Sequence, residues 1–145
     1  MNRYGGEATQ QPVREIAVID KIKDEIKNNS NDFKKVEKLK DTTGYRNAYF
    51  KGKKLQLISA YYKDTSTIKK VDWYFQKGLL IFSEKLWTDR KTNDTLDYEK
   101  YYLSNERLIA WFKFDTPVER KSVAFKKVDY KMRDYIKDLK LDNRK

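Results

Sequence analysis

Three stretches of the chain share one pattern: a tyrosine, five intervening residues and a leucine. They are Tyr49 to Leu55, Tyr74 to Leu80 and Tyr102 to Leu108, so successive copies start 25 and 28 residues apart. Each copy is aromatic before the gap (Tyr49-Phe50, Trp73-Tyr74-Phe75, Tyr101-Tyr102-Leu103). Each gap is turn-prone: Lys51-Gly52-Lys53-Lys54, Gln76-Lys77-Gly78-Leu79 and Ser104-Asn105-Glu106-Arg107. Each then resumes as an apolar run such as Leu80-Ile81-Phe82. A period of this length holds one supersecondary unit. β-Branched and aromatic residues with period-two patterning run through 45–114, so the unit is a β-hairpin.

A four-residue loop pairs Phe75 with Leu80, which sets Trp73 opposite Phe82 and Val71 opposite Glu84. The same register pairs Phe50 with Leu55, Ala48 with Leu57, Leu103 with Leu108 and Tyr101 with Ala110. Because strand side chains alternate between faces, Phe50, Leu55, Trp73, Phe75, Leu80, Phe82, Leu103 and Leu108 are expected on one core face. The opposite face carries Tyr49, Tyr74 and Tyr102, paired with Gln56, Ile81 and Ile109. If that face is open, Trp111, Lys100 and Lys113 join the three phenol rings in a basic, amphipathic contact surface. If a helix covers it, the tyrosine row is a second layer of core.

Helical periodicity flanks the repeats. Val13, Ile16, Ile19, Ile22 and Ile26 recur at spacings of three and four, which predicts an amphipathic helix over 12–27 with Pro12 in or near its first turn. Asn28-Asn29-Ser30-Asn31-Asp32 ends it, and Phe33, Val36 and Leu39 read as a short strand, with a helical continuation as the alternative. Toward the C-terminus, Phe125, Val128, Met132, Tyr135 and Leu139 predict a helix reaching about 140. Its start lies between 117 and 125: Thr116 is a candidate N-cap, Pro117 the first helical residue and Glu119 the reciprocal partner. A strand over 121–126 competes with the helix start. The polar connections are 63–66 and 88–97, the second expected to be a mobile surface loop. The predicted fold is α+β: an antiparallel β-meander of about six strands from three hairpin repeats, flanked by an N-terminal and a C-terminal helix. Residues 1–11 form a flexible polar lead, and 12–145 a single domain.

Composition removes whole classes of chemistry. The chain has no Cys and no His, which excludes disulfides, thiol nucleophiles, Cys- or His-ligated zinc and imidazole catalysis. The six serines lack a G-x-S-x-G elbow. Asp89, Asp94 and Asp97 lack the Gly and terminal Glu of a calcium loop. Glu84 falls on the expected core parity near a strand end, where burial raises a carboxyl, but escape to water is the simpler account. No enzyme, metal or cofactor is indicated. The net charge of +11 favours polyanions or acidic partners. Of the 33 cations, however, 25 are Lys, spread along the whole chain, and only eight are Arg, whereas readers of phosphate and base edges rely on Arg forks. No apolar run approaches a membrane span, and open sheet edges offer a route to a homodimer.

The strings AYFKGKKLQLI, WYFQKGLLIF and KYYLSNERLIAW resemble the YYF-x-N-G-K-L-I hairpins of uncharacterised Bacteroidota extracytoplasmic proteins and lipoproteins. They are similar, more distantly, to the MORN-like repeats of YwqK-type antitoxins. Here Lys51-Gly52, Lys77-Gly78 and Asn105-Glu106 replace the Asn-Gly of that motif. The resemblance spans 45–114 and implies a non-catalytic envelope or periplasmic binding or structural module, with a protein or acidic envelope partner. Met1 to Gln11 lacks the apolar stretch of a signal peptide, so this location requires a leader trimmed from upstream. The alternative is a cytoplasmic protein that binds nucleic acid through the aromatic and Lys face.

Overall fold

Each repeat folds as a hairpin, and one strand is added on either side. The computed structural model describes residues 11–142; apart from Gln11, the polar lead lies outside them. Helix α1 (Val13–Asn28) ends in a 3-10 turn at Ser30–Asp32. Eight strands follow: β1 (Lys34–Asp41), β2 (Gly44–Lys51), β3 (Lys54–Lys63), β4 (Thr67–Gln76), β5 (Leu79–Asp89), β6 (Thr95–Ser104), β7 (Arg107–Lys113) and β8 (Thr116–Pro117). Helix α2 (Val123–Asp142) closes the described chain. The strands lie in chain order in one sheet, each antiparallel to its neighbour. The architecture is α+β as expected, with β1 and β8 beyond the six strands that the repeats predict.

The predicted register holds at the turns and fails one step beyond them. Phe50 pairs with Leu55, Phe75 with Leu80 and Leu103 with Leu108. In all three hairpins the register then slips by one residue, so Tyr49 faces Leu57, Tyr74 faces Phe82 and Tyr102 faces Ala110. Gln56, Ile81 and Ile109 are the extra residues of three equivalent β-bulges. A bulge sets two residues against one and shifts the phase of everything after it. Phe82 therefore leaves the expected face, while the other seven residues of that set remain together, Leu55 only partly buried. Trp73 is opposite Ser83 and Val71 opposite Lys85, in place of Phe82 and Glu84. Ala48 is opposite Ile58 and Tyr101 opposite Trp111, in place of Leu57 and Ala110.

Both faces are covered, each by one helix. On one, Ile19 and Ile26 of α1 pack on Leu57, Tyr74, Phe82, Tyr102 and Ala110. On the other, Phe125, Ile136 and Leu139 of α2 pack on a larger layer centred on Phe50, Trp73, Phe75 and Leu103. Helix α2 is also pinned at its middle. Asp129 accepts hydrogen bonds from Arg107 Nη2 and from the Leu108 N–H, both at 2.9 Å. At the equivalent repeat position, the Leu80 N–H donates to Glu106 Oε2 at 3.1 Å. Two of the three bulges thus hand a backbone N–H to a carboxylate.

The turns explain how Asn-Gly is dispensable here. Lys77 (φ +52°) and Gly78 (φ +79°) both take the left-handed conformation of a two-residue hairpin turn. Asn105 (φ +51°) and Glu106 (φ +63°) do the same without glycine, and the Glu106 contact with Leu80 helps hold the less favoured geometry. Two expectations are corrected. Thr116 and Pro117 are not a helix start but the edge strand β8, paired with Lys113 and Phe112, because Phe114 turns the chain back at φ +56°. The helix begins at Val123, and Ser122 Oγ caps it by accepting the Phe125 N–H at 3.1 Å; no strand occupies 121–126. Likewise 88–97 is no long loop. β5 and β6 extend through it to leave 90–94, where Asp89 accepts the N–H groups of Lys91 and Thr92.

At Gly44 the backbone of β3 passes close against that of β2. A Cβ there would overlap the carbonyl oxygen of Tyr61, with backbone rather than a movable side chain as the obstacle. Gly44→Ala is expected to destabilise by about 1–3 kcal/mol, read as a lower urea midpoint at unchanged slope. An unchanged midpoint would mean that the two strands separate at no cost.

Candidate functional site

The bulges also decide where the sequence-predicted surface goes. Tyr49, Tyr74 and Tyr102 do share a face, and that face lies under α1. Tyr74 is 2% and Tyr102 3% exposed, while Tyr49 is partly buried against the same cluster. The Tyr102 hydroxyl donates to Asp20 of α1 at 2.8 Å, and burial followed by that acceptor raises its pKa well above the usual phenol value. Lys100 stays on this side, 5.5 Å from the Phe112 ring centre. Trp111 does not join them: the bulge at Ile109 turns it to the α2 side, with Lys113 6.0 Å from its ring. The tyrosine row is a second core layer, with no room for a base to stack on Tyr74 or Tyr102. Glu84 also changes side, facing Asp72 and Lys100 and accepting the Tyr98 hydroxyl at 2.6 Å.

A broad groove lies on the other face, between the sheet and the middle of α2, with a volume of about 860 Å³. Its floor is Val71 and Trp73 of β4, Ser83 of β5 and Tyr101 of β6, and Tyr62 of β3 stands at its edge. The helix wall is Val128, Met132 and Tyr135, with the Tyr135 ring tilted against Trp73 at 5.9 Å. These positions converge because β3 to β6 lie side by side and each contributes its inward parity. The bulge in β5 is what places Ser83 and Lys85, rather than Phe82 and Glu84, on this floor.

Polar groups enter the groove from one sign of charge. Three of its lining residues are Lys69, Lys85 and Lys131, and none is acidic. Lys85 is committed to a partly buried network within the floor. Its Nζ lies 2.8 Å from Glu99 and 3.5 Å from Asp97. Glu99, 5% exposed, also accepts the Tyr101 hydroxyl at 2.8 Å and the Trp111 indole N–H at 2.7 Å. Burial alone would raise the Glu99 carboxyl, but hydrogen bonds from Asp97, Lys85, Tyr101 and Trp111 hold it down at about 2. Asp97 is shifted the opposite way, by burial and then by Glu99, so the negative charge of the pair settles on Glu99. Burial, together with Glu99 as acceptor, keeps the Tyr101 hydroxyl protonated.

Lys69 and Lys131 are different. Neither has an ion-pair partner among the described residues. Burial, and then the charge of Lys85, lowers the pKa of Lys69 from the ordinary lysine value. Its ammonium lies 5.4 Å from the ring centre of Trp87, a half-exposed indole that Lys85 also approaches, at 5.2 Å. The arrangement is an apolar trough with a partly desolvated cation at one end, without an ion-pair partner among the described residues. Among the described residues, no group of three or more Asp or Glu is placed to hold a metal ion, and no helix is long and apolar enough to cross a membrane. No protein-family model matches the chain, and neither does a curated protein or a solved structure.

Proposed function

We propose that the protein is a non-catalytic binding module whose ligand occupies the groove between the sheet and α2. The observation that carries this reading is the groove itself: an apolar, aromatic floor of defined shape, rimmed by amphipathic and cationic side chains. Glu99 ties the floor residues Tyr101 and Lys85 to Trp111, which supports a preformed site rather than a collapsible one. The repeat resemblance supports placing the module in a bacterial envelope. Pairing of two chains along β1 is the less favoured assembly, because that edge carries Lys34, Lys35, Lys38 and Lys40 and an irregular register after Glu37.

A neutral fluorescent apolar probe, N-phenyl-1-naphthylamine, tests the reading directly. Saturable binding with one site per chain is expected, and Val128→Trp, which fills the groove from the helix side, should abolish it while the urea melt stays near wild type. Equal binding by that variant would place the probe elsewhere and remove the groove as the site.

A further inference from the structure

Within that groove, the charge arrangement narrows the ligand class. The lining holds three lysines and no carboxylate. Lys85 is already neutralised by Glu99 and Asp97, which leaves Lys69 on the sheet and Lys131 on α2 facing the groove without counter-ions among the described residues. A partly desolvated cation without an anion is a standing cost that a ligand can relieve. Lys69 precedes Val71 and Trp73 on the same face of β4, so a headgroup at its ammonium leads straight onto the apolar floor. Lys69 lies opposite Tyr62 on one side and Trp87 on the other, so the cation sits within an aromatic frame at the mouth.

We infer that the groove takes an amphipathic monoanion, a carboxylate with an unbranched apolar tail, its headgroup on Lys69 and its tail along Val71, Trp73 and Met132. This inference rests on the groove being the binding site. An anion with two or more charges is a poorer fit, because only Lys69 and Lys131 are uncommitted and the floor between them is apolar. The tail excludes water from the headgroup contact, which strengthens it relative to an exposed ion pair.

The experiment displaces N-phenyl-1-naphthylamine with decanoate and with 1-decanol, which share a tail and differ in headgroup. Decanoate should displace the probe at roughly tenfold lower concentration, the factor expected from one charge-assisted hydrogen bond. Lys69→Met should bring decanoate to parity with decanol, while Lys69→Arg should keep most of the preference. Urea melts of both variants identify any loss that comes from unfolding. Parity of the two compounds on the wild-type protein, or a preference that survives Lys69→Met, overturns the anion assignment and leaves the groove reading standing. Failure of the neutral probe itself to bind overturns the groove reading instead.

Discussion

Deletion of Ile81 is expected to leave the chain without a cooperatively folded state at room temperature. Removing that one residue erases the bulge in β5, so every side chain from Phe82 onward exchanges faces. Phe82, fully buried and in edge contact with Tyr102 at 4.9 Å, would move to the α2 side, and Glu84 would follow it. Ser83 and Lys85 would turn toward α1. Loss of the Phe82 packing alone costs about 3–5 kcal/mol, against a total stability of roughly 5–15 kcal/mol for a domain. Ile81→Ala keeps the backbone count and should cost no more than about 2 kcal/mol, since Ile81 is only partly buried. Near-ultraviolet circular dichroism and a two-dimensional amide spectrum separate the two variants. A deletion variant with native dispersion and melting would mean that the bulge does not set the faces.

Glu99→Ala should be the most damaging point substitution outside the aromatic layers, at about 3–5 kcal/mol. It leaves the Lys85 ammonium to Asp97 at 3.5 Å and strands the Trp111 indole N–H and the Tyr101 hydroxyl near a buried floor. Glu99→Gln should cost less, because an amide oxygen still accepts from Trp111 and Tyr101. The pH dependence has a definite sign. The folded value of Glu99 lies near 2, below the ordinary 4.5, so its stabilisation is complete above about pH 4.5 and fades as the pH falls toward 2. Asp97, shifted upward, loses stability as the pH rises through its own range. The stability gap between wild type and Glu99→Gln should therefore be widest near neutrality and close on acidification. A gap that stays constant from pH 7 to pH 2 would remove Glu99 as the centre of the network.

The hairpins were legible because Tyr-x5-Leu carries both turn chemistry and strand composition, and the bodies of both helices because their apolar residues recur at spacings of three and four, while the start of α2 stayed open between 117 and 125. The bulges were not. Leu80-Ile81-Phe82 and Leu108-Ile109-Ala110-Trp111 are apolar at every step, so alternation has no contrast from which to read a phase shift. Burial on both faces of the sheet removes the usual signal of polar residues pointing out. The groove was hidden for another reason: Lys69, Trp73, Ser83, Tyr101 and Met132 meet only once three strands and a helix are assembled. One clue was present. Glu99 stands between aromatic residues in Tyr98-Glu99-Lys100-Tyr101, at the parity of the main core, and an acid there demands buried partners.

The strictly sequential sheet has a consequence for how the protein reaches this structure. Every strand pair joins neighbours in the chain, so each hairpin closes a short loop and little chain entropy is lost before contacts begin to repay it. Pairing can start in any of the three repeats and spread outward, strand by strand. The exceptions are the two helices: α2 reaches back to Trp73 through Tyr135, and the hydrogen bond from Tyr102 to Asp20 of α1 spans 82 residues. That helix cannot find its seat until β3 to β7 exist to receive it. α1 should thus close over Tyr74, Phe82 and Tyr102 only after the strands have paired, and until then the aromatic layer beneath it stays wet and exposed to mispairing with a second chain.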